Sequence, residues 1–270
     1  KECYHYSKRV YEVIKKYPGS IVYSQGLSVW FNIQKINMPV IVNPHGLEPY
    51  QGISVKDKLI SIPFQFIFNS IFNQAGYVVS LGGKLTDILR EKLKDKNKIV
   101  VIPNAIELPL HIPKRTWNKK LKLLFVARFA HNKGIHILLE AIKQLNEEGY
   151  TDQFEFNLGG KGPLFEHFSK KFNFENVNYL GFVSDEQLVD LYRTNDLFVF
   201  PTLFEGMPTV VLEAMSYGMP AVVSNVGATA ELIDDKSKGY LIKKNSVEEL
   251  KKSILHFYHL DTAEKQQLSD

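Results

Sequence analysis

The chain has 270 residues, 44% of them hydrophobic, and a formal net charge of +4. This length allows one large hydrophobic core or two smaller ones, and the small charge gives no indication of nucleic-acid binding. The single cysteine, Cys3, excludes an intrachain disulfide and fits a reducing compartment, and neither a signal peptide nor an apolar run of about 18 residues is visible.

The first hundred residues alternate between helical and extended patterns. Apolar residues at helical spacing predict a helix over 1–17, which Pro18-Gly19 ends. Further helices are predicted over 59–75 and 85–93, and strands over 21–23, 40–42, 77–80 and 99–102. Strands that alternate with helices indicate a parallel sheet. Because the first residue is Lys, we expect the chain to begin inside a longer protein.

A proline-rich stretch then interrupts this alternation. It contains Pro103, Pro109 and Pro113 and ends in Lys119-Lys120, a composition typical of a linker between domains. Asn104 is assigned to a turn that closes the preceding strand. The predicted organisation is a first domain over 1–103, a linker over 104–120 and a second domain over 121–270.

The alternation restarts after the linker and continues almost to the end. Strands are predicted over residues 121–127, 154–158, 177–180, 197–200, 221–224 and 239–242. An apolar helix face runs from Ile135 to the helix stop at Gly149, and Ser184 with Gln187 forms a capping box for another helix. A short helix is predicted around 231 and the last one over 247–258. This half therefore reads as a nearly complete Rossmann-like domain.

One segment of the second domain combines a strand, a loop and a helix with two carboxylates. The loop after the strand at 197–200 holds Glu205. A helix then begins near Thr209 and stops at Gly218, a residue suited to the C′ position. Glu213 lies eight residues after Glu205. Helix N-termini attract diphosphates, and ligands of open α/β sheets bind beyond the carboxyl ends of the strands. Carboxylates there suit hydroxyl-rich ligands, although the spacing alone leaves ordinary solvated residues as an alternative.

The residues of this segment resemble a known enzyme signature. Glu205-Gly-Met-Pro, Glu213-Ala-Met and Gly218-Met-Pro-Ala-Val-Val are similar to the E-x7-E motif of the retaining glycosyltransferases called group 1 or family 4. Similar segments also occur at 126–134, 159–163, 180–183 and 224–231 and, more weakly, at 45–48 and 102–105. The resemblance covers about residues 20–245. It implies an α/β protein of the GT-B fold, with two Rossmann-like domains that each contain a parallel sheet.

The chain departs from the family pattern at both ends. The first domain lacks the opening β/α units, including their glycine-rich loop, and the chain stops before the helix that crosses back to that domain. Both departures fit a partial chain with an incomplete N-terminal domain, and they leave acceptor binding and full activity open.

Two cations follow the first strand of the second domain. Arg128 and Lys133 lie just past a strand end, where an arginine fork and a lysine point charge would neutralise a diphosphate and stabilise its departure. Taken alone, they could also be solvated surface cations. The family resemblance is what implies that both have a catalytic role.

The resemblance also implies roles for the remaining candidate residues. Glu205 would face the hydroxyls of the transferred sugar, Glu213 would bind the ribose, and His45 would approach the donor sugar from the first domain. A lone histidine after a strand is also compatible with a structural role. The other implied donor-binding residues are Gly206, Met207, Pro208, Thr209 and Val210 at sugar and phosphate, Phe182 and Val183 at the base, and Gly160 at the nucleotide. The Gly160 turn alone is a weak phosphate signal.

The expected function is transfer of a sugar from a nucleotide diphosphate sugar to an acceptor saccharide or glycolipid, with retention, in polysaccharide or glycolipid synthesis. Neither a cofactor nor a metal is expected, since the sequence has no H-E-x-x-H, Cys/His cluster or Asp-x-Asp. The expected location is the cytoplasm, or a peripheral position at the inner face of the membrane. The alternatives are a GT-B epimerase or phosphorylase, and a nucleotide-binding module without turnover.

Overall fold

The chain folds into two α/β units. The computed structural model describes residues 2–52, 55–112 and 114–270, with Lys236 described by its backbone alone. One unit comprises Lys1–Asn104 together with Glu205–Met207, and the other comprises Ala105–Phe204 and Pro208–Asp270. The predicted helix start at residue 1 and the predicted linker proline Pro113 lie outside the described residues.

The first unit is built around a four-stranded parallel sheet in the order β1-β2-β3-β4. Its elements are α1 (Glu2–Ile14), β1 (Val22–Gln25), β2 (Val40–Asn43), α2 (Val55–Gln74), β3 (Tyr77–Ser80), α3 (Gly83–Lys92) and β4 (Ile99–Val101). Helix α2 begins four residues before its predicted start, because Val55 is followed by the three charged residues 56–58, which hide the apolar periodicity. Asp57 in the first turn of the helix suits the positive end of the helix dipole.

The second unit is built around a six-stranded parallel sheet in the order β10-β9-β8-β5-β6-β7. Its strands are β5 (Leu121–Val126), β6 (Phe154–Gly159), β7 (Val177–Gly181), β8 (Leu197–Phe200), β9 (Ala221–Ser224) and β10 (Gly239–Ile242). Its helices are α4 (Ile135–Glu147), α5 (Phe165–Lys171), α6 (Asp185–Thr194), α7 (Thr209–Ser216), α8 (Thr229–Leu232), α9 (Val247–His259) and α10 (Thr262–Ser269). The strand order reverses between β5 and β8, where doubly wound sheets bind their ligands.

The centre of this second sheet is buried on both faces. All four residues of β8 are buried, as are the apolar positions of the α4 face, including Ile135, Leu139 and Leu145. Continuous apolar strands are typical of a parallel sheet covered by helices. The crevice between β5 and β8 therefore opens from a rigid, close-packed core.

Local sequence signals predicted most of the helix ends in this unit. The capping box of Ser184 and Gln187 is present, and Gly218 follows α7 with φ 66°, the left-handed conformation of a helix C′ residue. No helix is predicted after residue 258, yet α10 follows α9. Its apolar periodicity is weak, and the signal that marks it is the capping box of Asp261 and Glu264.

The stretch between β4 and β5 has no helix or strand in its described residues. From Ala105 onward it belongs to the second unit, and Arg115 within it is buried. None of the helices in the described ranges is long and apolar enough to cross a membrane.

Candidate functional site

The loops that follow β5 and β8 are tied together at the reversal of strand order. The backbone N–H of Leu203 donates to the carbonyl oxygen of Asn132 at 2.8 Å, and Thr202 Oγ1 donates to the same oxygen at 3.1 Å. Lys133 Nζ lies 5.9 Å from the ring centroid of Phe200, the last residue of β8. These contacts place the half-buried Lys133 at the carboxyl end of β8.

Arg128 is the second cation of this loop. It lies two residues after β5, and its exposed side chain makes no hydrogen bond or ion pair with any described residue. Both cations lie on the loop between β5 and α4, and because β5 and β8 are neighbouring parallel strands, this loop lies at the same edge of the sheet as the end of β8. The structure therefore brings the two predicted cations to one end of the second unit, where an anion would be neutralised.

Helix α7 begins at that same edge. Pro208 is its N-cap residue, and the first amide bonded within the helix is that of Val211, which donates to the Pro208 carbonyl oxygen at 3.2 Å. The amides of Thr209 and Val210 precede this bond and lack a carbonyl partner one turn earlier in the helix. They supply the partial positive charge that anions meet at helix N-termini.

Glu213 lies one turn into α7 and has a fixed partner. Its Oε2 accepts a hydrogen bond from Tyr192 Oη at 2.9 Å, and Tyr192 on α6 is only 2% exposed. Burial, reinforced by the charge of Glu213, raises the pKa of the Tyr192 hydroxyl far above its ordinary value. The phenol is therefore protonated at every physiological pH and donates permanently to this carboxylate.

The predicted base and nucleotide loops follow β7 and β6. Phe182 is 75% exposed just beyond β7, and Val183 packs against Gly159. Gly160 has φ 122°, its amide donates to the Gly181 carbonyl oxygen at 2.6 Å, and a Cβ there would collide with the Ala127 carbonyl. Only glycine fits this close approach of two backbones, so the role of Gly160 visible here is that of a tight turn.

Three residues of the loop after β8, Glu205–Met207, belong to the first unit. Asn104 Nδ2 donates to the Met207 carbonyl oxygen at 2.8 Å, and a Cβ on Gly206 would collide with the His45 carbonyl. Asn104 was assigned to a turn, but its amide instead holds the backbone of this loop. The turn assignment failed because Asn104 and Met207 lie 103 residues apart in sequence.

His45 adopts an unusual backbone conformation after β2. Its φ is 59°, a left-handed value that costs free energy in a non-glycine residue and that often marks functional sites. Asn43 Oδ1 accepts its N–H at 2.9 Å, and Asn43 Nδ2 donates to Tyr23 Oη at 3.0 Å. The first unit thus brings together His45 and the loop that carries the half-buried Glu205.

A buried arginine that no motif indicated fixes the far ends of α6 and α7. Arg115 is 7% exposed, and its Nε donates to the Gly218 carbonyl oxygen at 2.6 Å. Its other donors reach the carbonyl oxygens of Tyr192 at 2.7 Å, of Tyr217 at 3.1 Å and of Asn195. Burial lowers the pKa of Arg115 to about 10, which leaves it charged at neutral pH.

Metal-ligating side chains do not cluster in the described residues: no group of three or more His, Cys, Asp or Glu has the geometry to hold an ion. Metal independence itself stays a prediction.

Comparison with known proteins identifies a family and its fold. The sequence profile described as "Glycosyl transferases group 1" matches residues 110–269. An uncharacterized glycosyltransferase of Methanocaldococcus jannaschii is 27% identical over 86% of this chain and 62% of its own length. The UDP-Gal:alpha-D-GlcNAc-diphosphoundecaprenol alpha-1,3-galactosyltransferase of Escherichia coli is 25% identical over 88% of this chain and 66% of its own.

Among solved structures, sucrose-phosphate synthase from Thermosynechococcus elongatus superposes with a TM-score of 0.82 at 22% identity, covering 98% of this chain and 70% of that enzyme. The predicted fold, two Rossmann-like α/β domains of the GT-B class, is confirmed. The chain spans just under two thirds of the length of the two relatives named above.

Proposed function

The chain belongs to the glycosyl transferases of group 1, and we propose that it transfers a sugar from a nucleotide diphosphate sugar to an acceptor hydroxyl during polysaccharide or glycolipid synthesis. The observation that carries this proposal is the edge of the second sheet at β5 and β8. Two cations follow β5 there, and α7, with its open first amides and the fixed Glu213 carboxylate, follows β8. Such a set suits a ligand that is anionic at one end and carries hydroxyls beside it.

The donor lies along the carboxyl edge of this sheet. Its base rests by Phe182 and Val183 after β7, and its ribose hydroxyls bond to Glu213. Its diphosphate lies at Arg128, Lys133 and the start of α7. UDP is the favoured nucleotide, since the relative from Escherichia coli is named for a UDP-Gal donor.

The transfer retains the configuration of the anomeric carbon. The bond from that carbon to the diphosphate breaks, a bond to the acceptor oxygen forms, and the acceptor proton passes to the departing phosphate. Charge that develops on the diphosphate is stabilised by Arg128, by Lys133 and by the amides of Thr209 and Val210. The roles of Glu205, His45, Gly206 and Met207 toward the transferred sugar stay predictions.

No metal takes part, because the two cations supply the positive charge that a divalent ion would otherwise bring to the diphosphate. We expect turnover to be unchanged by a chelator such as EDTA. A loss of activity with EDTA that Mg²⁺ or Mn²⁺ restores would overturn this part of the proposal.

The acceptor is a saccharide or a lipid-linked saccharide, and the protein contacts the cytoplasmic face of the membrane peripherally. The first half of α2 supports this contact. A stripe at helical spacing, Val55, Leu59, Ile62 and Phe66, is 42–76% exposed, with Lys56 and Lys58 beside it. Apolar and basic side chains on one helix are typical of binding to anionic lipid surfaces.

Sedimentation with vesicles tests the membrane contact. The protein should sediment with phosphatidylglycerol vesicles and much less with phosphatidylcholine, and Leu59→Ser with Phe66→Ser should weaken the binding. Arg90→Ser on α3, an exposed change of charge outside the α2 stripe, serves as control. If the α2 variant binds the vesicles as well as the unsubstituted protein does, α2 does not contact the membrane.

The stereochemistry of the product tests the reaction itself. Each nucleotide sugar is incubated with the protein, and NMR follows the first anomer formed, either on an acceptor or by slow hydrolysis to free sugar. A retained configuration is expected. An inverted product would contradict the assignment, product formation that requires free phosphate would indicate a phosphorylase, and an altered sugar still bound to nucleotide would indicate an epimerase.

A further inference from the structure

The hydrogen bond between Tyr192 and Glu213 joins two helices at the proposed ribose site. A phenol that donates to a carboxylate makes a charge-assisted bond, stronger than one between neutral groups. Only Oε2 of Glu213 is engaged, and Oε1 makes no hydrogen bond to any described residue. The carboxylate is thus held at one oxygen and open at the other.

The ring of Tyr192 is fixed by its neighbours. It stacks on Tyr217 with a centroid separation of 5.8 Å and an interplanar angle of 24°, and it meets the buried Phe198 of β8 edge-on at 6.2 Å. The Arg193 guanidinium lies 5.5 Å from the centroid of the Tyr217 ring. The close-packed core therefore sets the place of the hydroxyl.

Arg115 fixes the backbones on which both side chains stand. It donates to the Tyr192 and Asn195 carbonyls at the end of α6 and to the Tyr217 and Gly218 carbonyls after α7. The last carbonyls of a helix have no partner within it, so one planar guanidinium satisfies two helix ends together. This bridge holds α6 and α7 at one separation, which keeps Tyr192 Oη within reach of Glu213.

We propose that Tyr192 is a positioning residue for donor binding. It orients the Glu213 carboxylate so that the free oxygen meets a ribose hydroxyl, and Arg115 maintains the helix pair that makes this possible. The inference rests on the proposed function. An unrestrained glutamate on a helix samples several rotamers, and freezing one of them before the ligand arrives removes part of the entropy cost of binding.

The alternative is that the hydrogen bond only strengthens the packing of α6 on α7. The two roles differ in their dependence on the ribose. A positioning role predicts that losing the Tyr192 hydroxyl weakens the binding of ribonucleotides. The binding of ligands without the ribose hydroxyl should hardly change. A purely structural role predicts no selective change.

Calorimetric titration with UDP, GDP and ADP and with their 2′-deoxy and 3′-deoxy counterparts measures this dependence. Tyr192→Phe keeps the ring and its stacking and removes only the hydroxyl. We expect its affinity for the bound ribonucleotide to fall about three- to tenfold, the loss of one modest hydrogen bond. The affinity for the deoxy form at the contacted hydroxyl should hardly change, so the ratio of the two affinities should fall.

Tyr179→Phe is the matched control. Tyr179 on β7 is partly buried, and its hydroxyl donates to the Phe172 carbonyl oxygen at 2.9 Å, away from Glu213. Its loss should leave the ratio of ribose to deoxyribose affinity unchanged. Glu213→Ala should bind the ribonucleotide and its deoxy form with equal affinity. Adding Tyr192→Phe to Glu213→Ala should weaken binding no further.

The outcomes separate the two proposals. If the unsubstituted protein binds no nucleoside diphosphate, the proposed function fails and this inference with it. If it binds one and Glu213→Ala removes ribose discrimination while Tyr192→Phe behaves like Tyr179→Phe, only the positioning role is overturned. Should Tyr192→Phe not fold, Tyr217→Leu removes the stacked ring and keeps the hydroxyl. A smaller fall in discrimination is expected there, and an unchanged ratio would overturn the inference.

Discussion

The two ends of helix α7 differ in how their backbone groups are satisfied. At its start, the amides of Thr209 and Val210 have no partner within the helix. At its end, Arg115 takes the last carbonyls, and Ser269 Oγ also donates to the Gly218 carbonyl oxygen at 2.7 Å. Several independent contacts at the end of α7 therefore hold the helix in place while its first amides stay open.

The same contrast separates two arginines of the second unit. Arg115 is buried and donates to protein carbonyls, whereas the Arg128 side chain is exposed and makes no polar contact with any described residue. One stabilises the fold, and the other is available to a ligand. The first two predictions test this difference by replacing Arg115 and then Glu213.

The largest expected effect is on stability. Arg115→Ala leaves buried carbonyls of two helices without their partner and should lower the free energy of unfolding by about 3–5 kcal/mol. Urea denaturation followed by circular dichroism measures this loss. Arg193→Ala, which removes a cation near an aromatic ring, should cost no more than about 1 kcal/mol. A similar loss in both variants would contradict the clamp assigned to Arg115.

The next effect concerns the nucleotide site proposed at α7. Glu213→Ala removes the carboxylate that we propose accepts the ribose hydroxyls, and it should weaken binding of the cognate nucleoside diphosphate at least tenfold, about 1.5–3 kcal/mol. Calorimetry measures the affinity, and Glu166→Ala on α5 is the control for a lost carboxylate. An affinity within twofold of the unsubstituted protein would exclude Glu213 from the site.

A smaller effect on stability is expected at the end of α7. Gly218 and Gly149 both have positive φ, but a Cβ at Gly218 would lie 3.0 Å from the Ser269 carbonyl oxygen, while the space at Gly149 is open. Both alanine variants incur the conformational cost of about 1 kcal/mol. Gly218→Ala should lower the free energy of unfolding more than Gly149→Ala does in the same urea experiment. Equal losses would show that the α7 end tolerates the crowding.

The smallest effect is a pH dependence of stability that arises at the start of α4. His136 stacks on His131 with a centroid separation of 4.1 Å, and its Nδ1 is buried without a hydrogen-bond partner among the described residues. Burial, and then the charge of His131, lowers the pKa of His136. Below the ordinary histidine pKa of about 6.5 the unfolded chain binds the proton more readily, so stability falls as pH decreases.

Urea midpoints between pH 7.5 and 5 test this sign. His136→Gln should reduce the fall in stability, and solvent screening at this half-exposed ring keeps the difference below about 1 kcal/mol. His167→Gln on the surface of α5 is the control. A fall equally steep in the unsubstituted protein and in the His136 variant would contradict the assignment.

The elements that sequence predicted well are those set by neighbouring residues. Short apolar runs predicted every strand of the described residues, and the local pattern at Ser184 predicted a capping box. The roles of the loop cations and of both carboxylates were implied by the family resemblance and stay predictions. Arg115 was missed because its carbonyl partners lie 77 to 103 residues away, and no local pattern distinguishes it from the solvated lysines nearby.

Tyr192 was missed for a related reason. It follows the helical pattern of α6 and reads as an ordinary core aromatic until its hydroxyl is seen on Glu213, 21 residues further along. Helix α10 was missed because its apolar pattern is weak, although Asp261 and Glu264 mark its start.

The central claim is that the carboxyl edge of the second sheet binds a nucleoside diphosphate through the cations after β5. Titration of the protein with UDP, GDP and ADP, alongside Arg128→Ala and the surface control Lys170→Ala, tests it most directly. We predict that one diphosphate binds selectively and that Arg128→Ala weakens it about tenfold, with a shallower salt dependence, while Lys170→Ala leaves it unchanged. Binding that is indifferent to Arg128, or that Lys170→Ala weakens equally, would contradict the account.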